Sequence, residues 1–121
     1  MSNVDRAKRL AASARNELAA LFQRRQLREL KAPCFEAAPF SISEVSVEGG
    51  NQHVRVFVSF LYGEPAAQEA VLAALADANA TLRGELGRRL RLRAAPTLSF
   101  HLDDSLKRGA RVLALLDELN S

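Results

Sequence analysis

At Val54, Val56, Val58 and Phe60 an apolar side chain stands at every second position, and only an extended strand turns that spacing into one buried face. Immediately before it, Glu48-Gly49-Gly50-Asn51-Gln52 supplies residues that tolerate positive φ, so the chain can reverse there. The segment ahead of the reversal has Phe40 and Ile42 on one parity and Val45 and Val47 on the other. A bulge at Ser43-Glu44 would restore a continuous apolar face and complete a β-hairpin. Arg55 and Ser59 then face outward, with Phe57 and Leu61 on the same side and in need of cover.

The inward face must be covered by helices, and the chain supplies them. Val4, Ala7, Ala11, Ala14, Leu18 and Leu21 recur at helical spacing, with Leu10 and Phe22 widening the stripe. This predicts an amphipathic helix from residue 4 to about residue 28. Pro33 and Pro39 mark residues 31–39 as a connecting loop. Gly63-Glu64-Pro65 opens a second helical region, in which Val71, Leu72 and Leu75 form one stripe and Leu82, Leu86 and Leu90 another. Ala78, Asn79 and Ala80 fall at the break between them. From Thr97 to Asp103 the alternation returns, with Leu98, Phe100 and Leu102 on one side and Ser99, His101 and Asp103 on the other. Asp104 or Ser105 can cap a last helix over about 105–119, buried through Leu106, Ala110, Leu113 and Leu116. The order is helix, strand, strand, helix, helix, strand, with an extra C-terminal helix. It describes an α+β domain with a three-stranded sheet, and 121 residues suffice for one core, so 1–121 reads as a single domain.

Charge is segregated along this plan. Residues 1–31 carry eight Lys+Arg against three Asp+Glu, residues 32–81 one against six, and residues 82–121 eight against five. Both ends are basic and the middle is acidic, which gives a folded domain a positive side if the ends meet. Arg83, Arg88, Arg89, Arg91 and Arg93 fall within eleven residues and are the first candidates for a polyanion site. Lys107, Arg108 and Arg111 come second, and Lys8, Arg9 and Arg15, with Arg6 beside them, third. Guanidinium forks bind phosphate with paired hydrogen bonds. With few aromatics available for stacking, RNA would be recognised by shape and backbone more than by base.

Other chemistries lack candidates. Cys34 is the single cysteine, so neither an internal disulfide nor a thiolate cluster for zinc can form, which fits a reducing cytoplasm. No signal region or membrane-spanning run is present, and a soluble intracellular protein is expected. Gly84-Glu85-Leu86-Gly87 spells GxxG, but Glu85 would repel phosphate and Leu86 belongs to a helical stripe. Ser99, His101 and Asp103 follow one another at intervals of roughly 7 Å along a strand, too far for a nucleophile–base hydrogen bond; His101 could contact RNA. His53 is remote in sequence. No phosphate-binding loop or dinucleotide fingerprint exists, so no catalytic activity, metal, cofactor or small-molecule substrate is expected.

Four stretches taken together resemble the ribosome-binding factor A family: RLAASARNELAALFQ (9–23), ISEVSV (42–47), HVRVFVSFL (53–61) and LGRRLRLRAAPTLSFHLDDSLKRGARVLALLDEL (86–119). The resemblance implies a KH type II fold whose two middle helices meet at an Ala-x-Gly kink in place of the GxxG loop; Ala78-Asn79-Ala80 occupies that place here. It also implies a cytoplasmic, monomeric, non-catalytic factor that binds the small ribosomal subunit and its 16S rRNA. Such a factor assists late subunit maturation and rRNA processing and matters in the cold. The chain departs from the family at Lys31-Ala32-Pro33-Cys34, where Lys-Asp-Pro-Arg is usual, and at Ala80, where glycine is usual. A rival reading keeps the fold and makes the chain a protein-interaction module that binds an acidic protein partner, or a second copy of itself, through Phe57, Leu61 and the acidic middle segment.

Overall fold

The computed structural model describes residues 3–24, 32–48 and 53–103. In chain order these form α1 (Asn3–Arg24), α2 (Cys34–Ala37), β1 (Phe40–Glu48), β2 (His53–Phe60), α3 (Pro65–Asp77), α4 (Asn79–Arg89) and β3 (Thr97–Leu102). β2 is the middle strand, antiparallel to β1 and parallel to β3. Val54, Val56 and Val58 are fully buried, as their alternation requires. The parallel partner cannot be reached by a tight turn, so α3 and α4 form the crossover between β2 and β3.

The bulge falls where the parity break places it. Pairing passes from Ile42↔Val58 to Glu44↔Phe57, leaving Ser43 as the extra residue, and Ser43 Oγ donates to the Phe57 carbonyl at 3.2 Å. Phe40, Ile42, Val45 and Val47 consequently all pack against the core. On the helical side, Ala14, Leu18 and Leu21 of α1, Val71 and Leu75 of α3, and Leu82 and Leu86 of α4 close over the sheet. Burial of each such leucine contributes about 1.5–3 kcal/mol.

The expected loop over 31–39 contains, in its described part, a single helical turn at Cys34–Ala37. Pro33 at its N-cap has φ −59°, a helix-compatible value that proline fixes in advance, and Phe35 is driven into the core beneath it. Gly63 then has to be glycine: its φ is +130°, and a Cβ there would lie 2.6 Å from the Ala38 Cβ. The kink between α3 and α4 needs no glycine. Ala78 is right-handed (φ −80°, ψ −2°), its N–H bonds the Ala74 carbonyl and its own carbonyl accepts from Leu82. The helical ladder therefore runs nearly unbroken through the bend. The expected helix over 105–119 lies outside the described residues. Leu61 does not gain the cover its position called for: among the described residues it is 88% exposed, and Tyr62 beside it 59%.

Leu75→Ala is expected to lower the unfolding free energy by roughly 2–5 kcal/mol in urea titration. Gly84→Ala, in the middle of α4 with no atom near a new Cβ, is expected to raise it by roughly 0.5–1 kcal/mol.

Candidate nucleic-acid interface

The C-terminus of α4 closes with two crossed hydrogen bonds, Leu92 N–H to the Gly87 carbonyl (2.9 Å) and Arg91 N–H to the Arg88 carbonyl (3.2 Å). That pair defines a Schellman cap, whose hinge residue is left-handed and usually glycine. Here the hinge is Arg91, with φ +55°. The loop that follows is fastened back onto α4. Arg83 Nε donates to the Pro96 carbonyl at 2.8 Å, and Asn79 Nδ2 donates to the Leu98 carbonyl at 2.8 Å. Gly87 is buried, and a Cβ on it would stand 3.3 Å from the Ala95 backbone. The segment from Leu90 to Pro96 is thus pinned at several points while Arg91 and Arg93 remain exposed.

The five arginines of this region divide by role. Arg83 is half-buried and serves the loop. Arg89 is half-buried between helices, its Nη1 3.2 Å from Glu17 Oε2 of α1 and its Nε 3.5 Å from Glu85 Oε2. Arg88 is exposed and pairs with Glu85 one turn earlier; its hydrogen bond is the main reason the Glu85 carboxyl titrates below the usual carboxylate range. Arg88, Arg91 and Arg93 are left facing solvent, at the helix end where the macrodipole also favours cations.

On α1, Arg6, Lys8, Arg9 and Arg15 are all exposed, and Arg15 Nη2 donates to the Ile42 carbonyl of β1 at 3.1 Å. The Glu17–Arg89 pair sets α1 against α4, so the two basic stretches of the sequence are neighbours. The cations of α1 nevertheless part company: Arg6, three turns before Glu17, shares the α4 side by helical spacing, while Lys8 and Arg15 border β1. Lys107, Arg108 and Arg111 lie outside the described residues.

A sequence profile of ribosome-binding factor A matches residues 6–116. The chain belongs to the ribosome-binding factor A family. A ribosome-binding factor A from Synechococcus sp. (strain CC9605) is 40% identical over 119 residues, covering 98% of this chain and 81% of that protein. One from Prochlorococcus marinus (strain MIT 9303) is 49% identical over 79 residues, 65% of this chain, and the match spans only 55% of that longer protein. Among solved structures, the crystal structure of ribosome-binding factor A from Thermus thermophilus superposes with a TM-score of 0.64 at 26% identity, covering 79% of this chain and 93% of that one. A homology model of the Thermus thermophilus factor, fitted into a cryo-electron-microscopy map of a complex with the 30S subunit, superposes with a TM-score of 0.60 at 25% identity over 78% of this chain and 91% of that one. The fold is accordingly the KH-like fold of this family, with Ala78-Asn79-Ala80 at the kink.

Within that fold, Gly84-Glu85-Leu86-Gly87 is part of α4 and forms no loop. The outer sheet face holds a cluster that the sequence did not disclose. His53 Nδ1 lies 2.5 Å from Thr97 Oγ1, His53 Nε2 2.9 Å from Ser99 Oγ, and Ser99 Oγ 2.7 Å from His101 Nε2. The expectation that Ser99 and His101 stand too far apart to hydrogen-bond is therefore wrong. Their backbone positions are separated as a strand demands, but the long imidazole leans along the strand and closes the gap. His53, remote in sequence, joins them because the parallel register sets it opposite Thr97. Beside the cluster, Phe57 packs against His101 with ring centroids 5.3 Å apart, and the Arg55 guanidinium lies 5.5 Å from the Phe57 centroid. Among the described residues no group of three or more His, Cys, Asp or Glu side chains could hold a metal ion, and no helix is long and apolar enough to cross a membrane.

Arg91→Gly is expected to stabilise the fold by about 1 kcal/mol in denaturant titration, since it removes the left-handed penalty of a side-chain-bearing residue; Arg91→Ala is expected to leave stability near the wild-type value. For Glu85, whose carboxyl is depressed in the folded state, the stabilising contribution is complete above its ordinary value of 4.5 and is lost as pH falls through the depressed one. Glu85→Gln should thus melt lower than wild type at neutral pH, and the two melting curves should converge in acid.

Proposed function

We propose that this chain binds the small ribosomal subunit through phosphates of its 16S rRNA and assists late steps of subunit maturation without catalysing a reaction. The observation that carries the reading is the capped end of α4, where Arg88, Arg91 and Arg93 are exposed on a segment held by the cap hydrogen bonds of Arg91 and Leu92 and by Arg83 at the Pro96 carbonyl. With the backbone pinned, only the arginine side chains remain to be ordered on binding, and each phosphate they neutralise releases counterions. The packing of α1 against α4 adds Arg6 to the same side. Membership of the family, and the fitting of a family member into a map of its 30S complex, support the same partner.

The rival module, holding an acidic protein through Phe57 and Leu61, is less well served. Phe57 is already engaged by Arg55 and His101, and an acidic partner would meet the exposed Glu44 and Glu48 of β1.

Co-sedimentation with purified small subunits over a salt series tests the proposal. Wild-type binding should weaken steeply with salt, and reversing Arg88, Arg91 and Arg93 to Glu should cut affinity by at least about 100-fold. The slope of log affinity against log salt should fall by about one for each phosphate contact removed. Indifference to salt and to the three reversals would overturn it.

A further inference from the structure

Glu85 stands one turn before the end of α4 and has the guanidinium groups of both Arg88 and Arg89 within reach of the same oxygen. Its Oε2 accepts from Arg88 Nη2 and lies 3.5 Å from Arg89 Nε, close enough for attraction but without an aligned hydrogen bond. The choice between them is the reverse of what burial would favour. Arg88 is 70% exposed and can find water or another acceptor, whereas Arg89 is only 26% exposed. Arg89 Nε is the one buried side-chain nitrogen or oxygen among the described residues that has no hydrogen-bond partner. A buried donor left without an acceptor is costly, while an exposed ion pair contributes little. Elsewhere Arg89 is well engaged, with Nη1 3.2 Å from Glu17 Oε2 of α1.

We propose that Glu85 is a positioning residue for the phosphate site: in the free protein its carboxylate holds Arg88, and when a phosphodiester oxygen takes Arg88 the carboxylate passes to Arg89 Nε. This rests on the ribosomal-RNA reading above and deepens it. Among the described residues Arg88 is the one of the three exposed cations at this end that a carboxylate holds, so its use on RNA requires that pair to open. Opening it with no second donor at hand would leave an anion facing the incoming phosphate. Arg89 removes the conflict. Turning to Nε draws the carboxylate towards the half-buried side of α4, satisfies the stranded donor, and leaves the Arg88 fork free to bind phosphate with two parallel hydrogen bonds. Because Arg89 also holds Glu17, the exchange joins Glu17, Arg89 and Glu85 in one network across the contact of α1 with α4. Phosphate binding at the end of α4 thereby tightens the seat of α1, and by reciprocity a tight seat favours binding.

The test follows the Arg89 Nε–H of the full chain by NMR, with isotope-labelled arginine and the resonance assigned by its loss in Arg89→Lys. The probe is a short RNA duplex of mixed sequence. Saturating duplex should slow solvent exchange of this proton in wild type by about tenfold or more, the size expected of one hydrogen bond to a charged group. Arg88→Gln should slow it equally with no RNA present, because it frees the carboxylate; the side chain it replaces is exposed, so the fold is kept. In Glu85→Ala the proton should exchange at the free wild-type rate with and without duplex. Equal exchange in wild type and Arg88→Gln overturns the assignment, as does bound duplex that leaves the wild-type proton unchanged or slows it just as much in Glu85→Ala. The same preparations are sedimented with small subunits. Failure of wild type to bind them overturns the ribosomal reading, while Arg88→Gln, which needs no RNA, still decides whether the carboxylate changes hands.

Discussion

The parallel pairing of β2 with β3 is the constraint from which the arrangement follows. Two parallel neighbours cannot be joined by a hairpin, so the chain must leave the sheet, cross one face and return. It does so through α3 and α4, and the fully buried Val54, Val56 and Val58 require that crossing to lie on their side. The direction of return then places the C-terminus of α4 beside the start of β3, so the Leu90–Pro96 segment must form a short reversal at that end of the sheet. The basic cluster sits there because the topology leaves the chain a turn to make, and arginine is suited to a segment that stays in water.

That turn also explains why five neighbouring arginines do not share one task. Arg83 and Arg89 point back along α4, where the Pro96 carbonyl and the Glu17 and Glu85 carboxylates await them. Both are only half exposed, and removing either would leave polar partners unsatisfied in a partly desolvated place. Arg88, Arg91 and Arg93 instead face solvent, while Leu90 between them packs against the core. Arg91 is the informative one. A left-handed residue bearing a Cβ costs about 1–2 kcal/mol relative to a right-handed one, and glycine would avoid that cost at a helix cap. The guanidinium carried by that residue is exposed, on a loop whose far end Arg83 fastens at the Pro96 carbonyl.

The elements were legible where periodicity carries them. The alternation of β2, the parity break at Ser43-Glu44 and the two leucine stripes of α3 and α4 each state their geometry in the order of the residues. What the sequence withheld depends on register and on side-chain reach. Nothing in the run from Thr97 to Asp103 says that Thr97 will lie opposite His53, so the imidazole cluster on the outer face could not be read. Nor does the spacing of arginines reveal which will find a carboxylate, because Glu17 stands 72 positions from Arg89. The short helix α2 was hidden for another reason: two prolines look like loop punctuation, and only the burial of Phe35 converts the first of them into a helix start.

Because the helices cover one face only, the charged positions they carry are sorted to the rims of the sheet. α4 brings its cations to the β3 end through a fixed turn, whereas α1 brings Lys8 and Arg15 to the β1 edge. The first rim is fixed where Asn79 and Arg83 donate to the Leu98 and Pro96 carbonyls, and on the second Arg15 is held to the strand by its hydrogen bond to the Ile42 carbonyl, so each rim carries its cations on backbone that a helix side chain anchors.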